Sequence, residues 1–539
     1  MSDDAVKFFI SKFRGLLDNV PELPTYYRPR PYKNAAVQFK ISTPEDFEER
    51  RRIVEKTGLN VFFFPAHHIP GCDLLSDSGT TTMTMTQWSQ LLLGDEAYGS
   101  NEGFFHLKTQ MVETFGPSWN QTREHTETLF LFHQGRAAEN ALFSVFSRML
   151  HKGGSVSPLF SDSLESSLRN TIEEKLSAFP PSERPYFIIP SNSHFDTTEA
   201  NIGNNNILPL NLPCNEHVHN DEAFSFRGNM NTNALRNLLE NEHHRVPLIY
   251  LTITNNTGGG QPASMSNIKE VSEIAGEYDI PFFLDACRFA ENAWFVQQKE
   301  SQYQNKSIQD IVWEMFEYAD GFHISFKKDG LVNIGGALVI KEGGRMARKH
   351  PDLQNRLTDY QILTEGHPTY GGMAGRDLKG LVQGLKTVVN QKYLDHRIRR
   401  VEKFGRKLEA YHIPVIKPVG GHAVYMNMDR FFEGTETKDH EFKGIAFTAL
   451  MLIAGHRLCE LGVYAFGKYK NGKEYPPDPR VNFVRGAVPR LMYEDQDLFS
   501  AAEAAKVLYD NRDRIPGVEV VYGRDLTLRH FKSRFRFKI

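Results

Sequence analysis

Lys327 and Lys328 stand side by side in GFHISFKKDGLVNIGGALVI, residues 321–340, between two stretches that both read as buried. Lysine ordinarily leaves its ammonium in water, and an amine drawn out of water becomes a usable nucleophile and base. Earlier in the chain, Asp285 closes the apolar run of FFLDACRF. A carboxylate there is costly to bury unless a cation meets it, although capping the following helix is the plainer role. Gln134, Gly135 and Arg136, in HQGRAAE, open a helix directly after a strand. Free N–H groups and the helix dipole at such a start attract anions, and Arg136 adds a forked donor. The glycines of TNNTGGGQPAS also follow a strand, but the Gly-Lys-Ser/Thr of a nucleotide P-loop is missing, so alone they read as a tight turn. One cofactor would use the set. Pyridoxal phosphate needs an amine for a Schiff base, an anion for its pyridinium nitrogen and a cradle for its phosphate. Lys328, Asp285 and the turn at 134–136 supply these in order, with the Ser325 hydroxyl as a further phosphate donor.

The elements that would hold these groups alternate along the chain. NEGFFHLKTQMVETFG places Phe104, Leu107, Met111 and Phe115 at helical spacing, and SNIKEVSEIAGEYD does the same with Ile268, Val271, Ile274, Ala275 and Tyr278. TLFLF, VPLIYLTI, IPFFLD and GFHIS are continuous apolar runs of strand length. Strands of that kind between helices predict an α/β fold, with a mostly parallel sheet covered on both faces and ligands gathering beyond the strands' carboxyl ends. After residue 375 the chain turns helical with charged faces, then offers HAVYMNM and RVNFVRGAVPR as short strands. The expected division is an N-terminal arm with part of a small domain over 1–85, a large cofactor-binding domain over 86–385, and a C-terminal small α+β domain over 386–539. The first forty residues, rich in proline and tyrosine, read as an extended arm, within which Phe8, Phe9, Phe13 and Leu17 can form the apolar side of a helix. Residues 151–185 lack a strong period and read as an exposed insertion.

Composition narrows the function. With 539 residues, 40% of them hydrophobic, the chain can bury a large core. Lys and Arg total 63 against 66 Asp and Glu, a net charge of −3 that gives no general reason to expect nucleic acid or an acidic membrane as partner. The four cysteines, Cys72, Cys214, Cys287 and Cys459, form no CxxC pair, which predicts reduced thiols and a cytoplasmic protein. The greasiest stretch, GIAFTALMLIAG, falls well short of the ~20 residues that span a bilayer. CNEHVHND offers Cys214, His217 and His219 to a metal, but a fourth ligand is not evident, and it reads as a polar loop.

LLSDSGT, LLLGDEAYGSNEGFFHL, HQGRAAE, FDTT, GGGQPASMSNIKEV, YDIPFFLDACRFAENAWF, SFKKDGLVNIGG, HPTYGGMAGRD, VPR and LRHF follow one another from about residue 45 to 535. In that order they resemble the tryptophanase and tyrosine phenol-lyase family, the aromatic amino-acid β-eliminating lyases. The resemblance implies a fold-type I pyridoxal phosphate enzyme, aminotransferase-like, in a homotetramer whose active sites lie at a dimer interface. It matches Lys328 to the Schiff-base lysine, Asp285 to the pyridine-nitrogen partner and Arg288 to the arginine one turn on. It matches Asn256 to the residue near the cofactor's phenolic oxygen, and Phe195 to the ring stacked on the cofactor. Arg490 matches the clamp for the substrate carboxylate, with Ser78 nearby. Tyr98 matches a general acid that reaches in from the neighbouring subunit. A monovalent cation, usually potassium, would map to Glu96 and the carbonyls of Gly79 and Asn333.

The same resemblance implies an aromatic L-amino acid as substrate. Asp196, in HFDTT, and His530, in LRHF, are the choices of tryptophanase; tyrosine phenol-lyases carry threonine and phenylalanine there. Lys468 stands where tyrosine phenol-lyases place an arginine. The expected reaction is tryptophan to indole, pyruvate and ammonia. The rivals are the same elimination on tyrosine, another fold-type I pyridoxal enzyme such as an aldolase or aminotransferase, and a relative without catalysis. The N-terminal arm, the 151–185 insertion and Phe326, which replaces a small residue, depart from the family pattern and leave room for an altered substrate.

Overall fold

The computed structural model describes residues 2–18, 30–31, 37–38, 43–122, 127–150, 160–177, 179–219, 221–255, 258–436, 438–470, 472–477 and 481–538. Two compact units emerge, one of residues 83–396 and one assembled from residues 1–82 and 397–539.

The larger unit is built on a seven-stranded sheet of β1 (Leu129–Phe132), β2 (Ile188–Ser191), β3 (Leu208–Asn211), β4 (Ile249–Thr252), β5 (Phe282–Asp285), β6 (Gly321–Ser325) and β7 (Gly336–Ile340). Across the sheet the order is β1-β7-β6-β5-β4-β2-β3. β7 runs antiparallel to both neighbours, and the other adjacent pairs are parallel. Every residue of β4, β5 and β6 is buried, as continuous apolar runs covered on both faces require.

Five helices serve the site: α1 (Glu102–Phe115), α2 (Gly135–Leu150), α3 (Asp196–Asn204), α4 (Met265–Glu277) and α5 (Phe289–Lys299). Phe104, Leu107, Met111 and Phe115 of α1 and Ile268, Val271, Ile274 and Ala275 of α4 are the buried faces their spacing predicts. Asn101 and Ser264 start these helices, their side-chain oxygens accepting from the N–H of Phe104 at 2.9 Å and of Asn267 at 3.1 Å. Such caps contribute about 1 kcal/mol each. α2 lays Ala138, Leu142 and Phe146 in one apolar cluster with Phe130 of β1, Ile189 of β2, Phe283 of β5 and Leu338 of β7. Truncating Phe146 there would cost about 3–5 kcal/mol.

The 151–185 insertion is partly regular. Ser166–Leu176 is a helix with Leu168, Ile172 and Leu176 buried, a four-residue repeat hidden among serines and acids, so the expectation of an exposed aperiodic stretch fails there.

In the smaller unit, Phe483–Ala487 is the centre of a three-stranded antiparallel sheet between Ala423–Asn427 and Cys459–Leu461. Helix Lys443–Ala454 is buried at every residue, which is where an all-round apolar helix of this length belongs in a globular core. The chain opens on the helix its apolar spacing allows, Ser2–Asp18: Val6, Phe9, Ile10 and Phe13 join the same core and Phe8 packs against it, while Leu17's side chain and most of residues 19–42 of the expected arm lie outside the described residues. Among the described residues no helix is long and apolar enough to cross a membrane.

Candidate active site

β6 ends at Ser325, and the chain turns tightly through the lysine pair. The Lys328 N–H reaches the Ser325 carbonyl at 3.2 Å, and the Leu331 N–H reaches the Lys328 carbonyl at 3.0 Å. Lys328 is only 8% exposed, and its Nζ stands 5.3 Å from the centroid of the Phe195 ring. Lys327 is half-buried; desolvation, then Arg136 and Lys328, lower its pKa. Two glycines allow the crowding. A Cβ on Gly135 would fall 2.6 Å from Ser325 Cβ, so the first residue of α2 closes on the strand end. A Cβ on Gly384 would fall 1.9 Å from the Gly330 carbonyl oxygen, so the helix Gly375–Val388 presses on the far side of the turn.

Asp285 ends β5 beside this turn, and in register it faces Thr252 of β4 on one side and His323 of β6 on the other. It does not cap the next helix. Asp329, fully buried, does: its Oδ2 accepts from the N–H groups of Ala290 at 2.9 Å and Glu291 at 3.3 Å in the first turn of α5. Asp285 instead faces cations. Burial pushes its carboxyl up, but His323, then Lys328, then hydrogen bonds from Cys287, including its N–H at 3.3 Å, together outweigh burial and hold it below the usual carboxylate range. Arg288, buried, precedes α5 and donates its N–H to the Ile253 carbonyl at 3.3 Å.

His323 was not singled out by sequence reasoning, nor was Glu139 within HQGRAAE. Glu139 lies one turn into α2 and accepts from Thr197 at 3.1 Å, Thr198 at 3.0 Å and Asn201 at 3.3 Å, all on α3. These bonds tie the phosphate-type turn to the helix that begins just after Phe195. Phe195 itself is half-buried, and Asp196 accepts the Thr197 N–H at 2.6 Å. The available sequence signal was a polar residue inside an otherwise apolar strand, which is costly unless partnered.

The structure also places the other expected residues, unit by unit. In the larger unit, Gln134 is half-buried and Arg136 exposed at the α2 start. Tyr98 is 82% exposed and meets the rings of His367 and Tyr370 edge-on. Glu96 pairs with Arg376 at 2.9 Å, and Asn333 is exposed. In the smaller unit, Arg490 is wholly buried and its Nη1 meets Asp77 Oδ2 at 3.0 Å; Ser78 and Gly79 follow Asp77 directly, and Gly79 has a φ of 70°. His530 is buried against Phe62 and Phe531, and burial lowers its pKa to about 4, so it is neutral at physiological pH. Lys468 is exposed in a short hairpin. Asn256 falls outside the described residues.

The larger unit thus offers a buried amine beside an aromatic ring, a buried carboxylate held ionised, and a helix N-terminus pressed onto a serine where glycine leaves a cradle. That donor set fits pyridoxal phosphate: Lys328 for the aldehyde, Asp285 for the ring nitrogen, Gly135 and Ser325 for the phosphate. Fold and site together define a fold-type I pyridoxal phosphate-dependent enzyme. The solved structure of Leishmania major threonine aldolase has the same fold, with a TM-score of 0.50 and 13% identity over 81% of this chain and 99% of that one.

Residues 73–504 match the model of the beta-eliminating lyase family. Similar proteins include the tryptophanase of Salinibacter ruber, 36% identical over 93% of this chain and 95% of the relative. The tyrosine phenol-lyase of Lacrimispora saccharolytica is 34% identical over 94% of this chain and 97% of its own length. The chain belongs to the beta-eliminating lyase family and is a pyridoxal phosphate-dependent carbon–carbon lyase.

Proposed function

We propose that this enzyme eliminates indole from L-tryptophan, giving pyruvate and ammonia with uptake of one water. The observation that carries the choice of substrate is Asp196, an acceptor-only carboxylate directly after the Phe195 ring that meets Lys328. An indole N–H needs such an acceptor. A phenol oxygen, which gathers negative charge as it leaves, would be repelled by it. The tryptophanase relatives support the same reading.

Lys328 Nζ takes the proton from the substrate Cα, and the Asp285 carboxylate keeps the facing ring nitrogen protonated. Bound pyridoxal phosphate supplies the electron sink for the pair left at Cα. Asp196 accepts the indole N–H, and a proton delivered to the ring carbon, with Tyr98 of a neighbouring subunit assisting, lets the bond from Cβ to the ring break. Arg490 and Ser78 hold the substrate carboxylate, a task suited to a forked guanidinium, while His530 bears on ring selection. Arg136 and Gln134 add to the phosphate cradle, and Arg288 and Asn256 to the cofactor's surroundings. A potassium ion at Glu96 and the carbonyls of Gly79 and Asn333, a homotetramer and a cytoplasmic location complete the proposal. For potassium to bind there, Glu96 must exchange its contact with Arg376.

Purified protein with pyridoxal phosphate and potassium chloride is given tryptophan and tyrosine separately. Pyruvate and indole from tryptophan at the higher kcat/KM is the expected result. Faster release of phenol from tyrosine, or formation of glycine or a new amino acid, would overturn the assignment.

A further inference from the structure

The middle of β6 carries a titratable group that the proposed reaction does not use. His323 is fully buried, its ring stacked 5.7 Å from that of Tyr250 on β4, at an interplanar angle of 13°. Its Nε2 lies 2.9 Å from Glu139 Oε1 and 3.5 Å from Asp285 Oδ1, and its Nδ1 is hydrogen-bonded to the Tyr250 hydroxyl. Cys287 Sγ also approaches Nε2, at 3.9 Å. The titratable groups facing it are therefore Asp285 at the end of β5, Cys287 just after it, Tyr250 on β4 and Glu139 on α2. Lys328 lies beyond, acting on Asp285, and His194 stacks on the far face of Tyr250 at 6.4 Å.

Two buried carboxylates share one side of this ring. Without a cation between them they would repel each other in a medium that screens poorly, and one would take up a proton. A doubly protonated imidazole answers both: Nε2–H serves the two carboxylates and Nδ1–H donates to the Tyr250 oxygen. We infer that His323 is a positioning residue, a cation buried in the sheet that keeps Asp285 ionised and aimed so that it can hold the protonated ring nitrogen of pyridoxal phosphate. The inference rests on Asp285 being the cofactor's nitrogen partner. The electrostatics agree in sign: burial lowers the imidazole's pKa, but Asp285 and Glu139 more than reverse this and raise it well above its ordinary value. His323 thus links the carboxylate at the cofactor nitrogen to Glu139, the residue that anchors the start of α3 beside Phe195.

The test compares cofactor affinity of the apoprotein, by fluorescence titration with pyridoxal phosphate between pH 6 and 8.5, for wild type, H323Q, H323T and H323Q/E139Q. Circular dichroism accompanies each to report folding. Wild type is expected to bind with little pH dependence, because Asp285 stays ionised throughout. H323Q and H323T should bind about tenfold more weakly at pH 6, where loss of the buried cation leaves Asp285 to take up a proton in competition with its role at the cofactor, and the deficit should shrink as pH rises to 8.5. H323Q/E139Q, which removes both a cation and an anion, should recover most of the loss. Binding by the single variants within twofold of wild type at every pH would overturn the proposal, as would a double variant no better than H323Q, since packing alone would then explain the residue. Should both single variants fail to fold, a folded double variant supports charge balance and an unfolded one refutes it. Failure of wild type to bind the cofactor would instead refute the parent reading, and is seen before any variant is compared.

Discussion

Asp285 and Glu460 are both buried carboxylates on strands, one in each unit, and they ionise in opposite ways. Asp285 faces His323 and Lys328, and stays below the usual carboxylate range despite burial. Glu460, on Cys459–Leu461, is served by the N–H groups of Tyr464 and Ala465, each at 3.1 Å. Burial wins there, and the carboxyl is pushed up to about 7. At Glu460 the amides and the charge of Arg529 lower the pKa without overcoming burial, whereas at Asp285 His323, Lys328 and the Cys287 N–H together do overcome it. The pair separates a carboxylate equipped to hold a charged ligand from one that helps pack a small sheet.

The most severe way to break this contrast is K328A, which removes both the proposed proton carrier and one cation facing Asp285. Pyruvate release is expected to fall on the order of 10³-fold or more, with the far-ultraviolet circular dichroism of wild type retained. Residual activity above a tenth would disprove the role of Lys328.

A second carboxylate that meets a cation is Asp77, buried against Arg490. D77A leaves that guanidinium without its 3.0 Å carboxylate partner. A loss of about 3–5 kcal/mol is expected for breaking such a pair, read from urea unfolding followed in the smaller unit. A change under 1 kcal/mol would mean that Arg490 does not depend on Asp77.

Glu460 sharpens the contrast through pH. Its pKa is about 7 in the folded chain and ordinary when unfolded, so the folded form binds the extra proton between those values. The stabilisation is complete below the ordinary carboxylate pKa and is lost as pH rises through about 7. E460Q should therefore melt above wild type at pH 8.5 and close to it at pH 5. Equal midpoints at both values would show that Glu460 does not titrate this way.

The smallest change, D196T, leaves the buried charges alone and alters only the acceptor beside Phe195. It should lower the preference for tryptophan over tyrosine about tenfold, the worth of one hydrogen bond of about 1.4 kcal/mol. An unchanged ratio of kcat/KM values would remove Asp196 from substrate choice.

The central strands were legible because a strand covered on both faces must be apolar throughout, and the lysine and aspartate stood out at the ends of such runs. Asp329 was hidden next to that lysine: nothing local shows that its carboxylate reaches the α5 N–H groups. Glu139 looked like an ordinary helix acid, and only α3 and β6 give it partners. The helix Ser166–Leu176 escaped because its three apolar residues are diluted by serine and glutamate. His323 was visible as a cost, a histidine in a buried run, but its partners Tyr250, Asp285 and Glu139 come from β4, β5 and α2.

Residue order alone determined the alternating strands and helices, the placing of Lys328 and Asp285 at strand ends, and the family to which these motifs belong, since each is written in local pattern and spacing. The tertiary structure decided which charges meet. Coulombic and hydrogen-bond energies depend on distance through space, and Glu139, Tyr250, Asp285 and His323 come together only when the sheet and α2 are assembled.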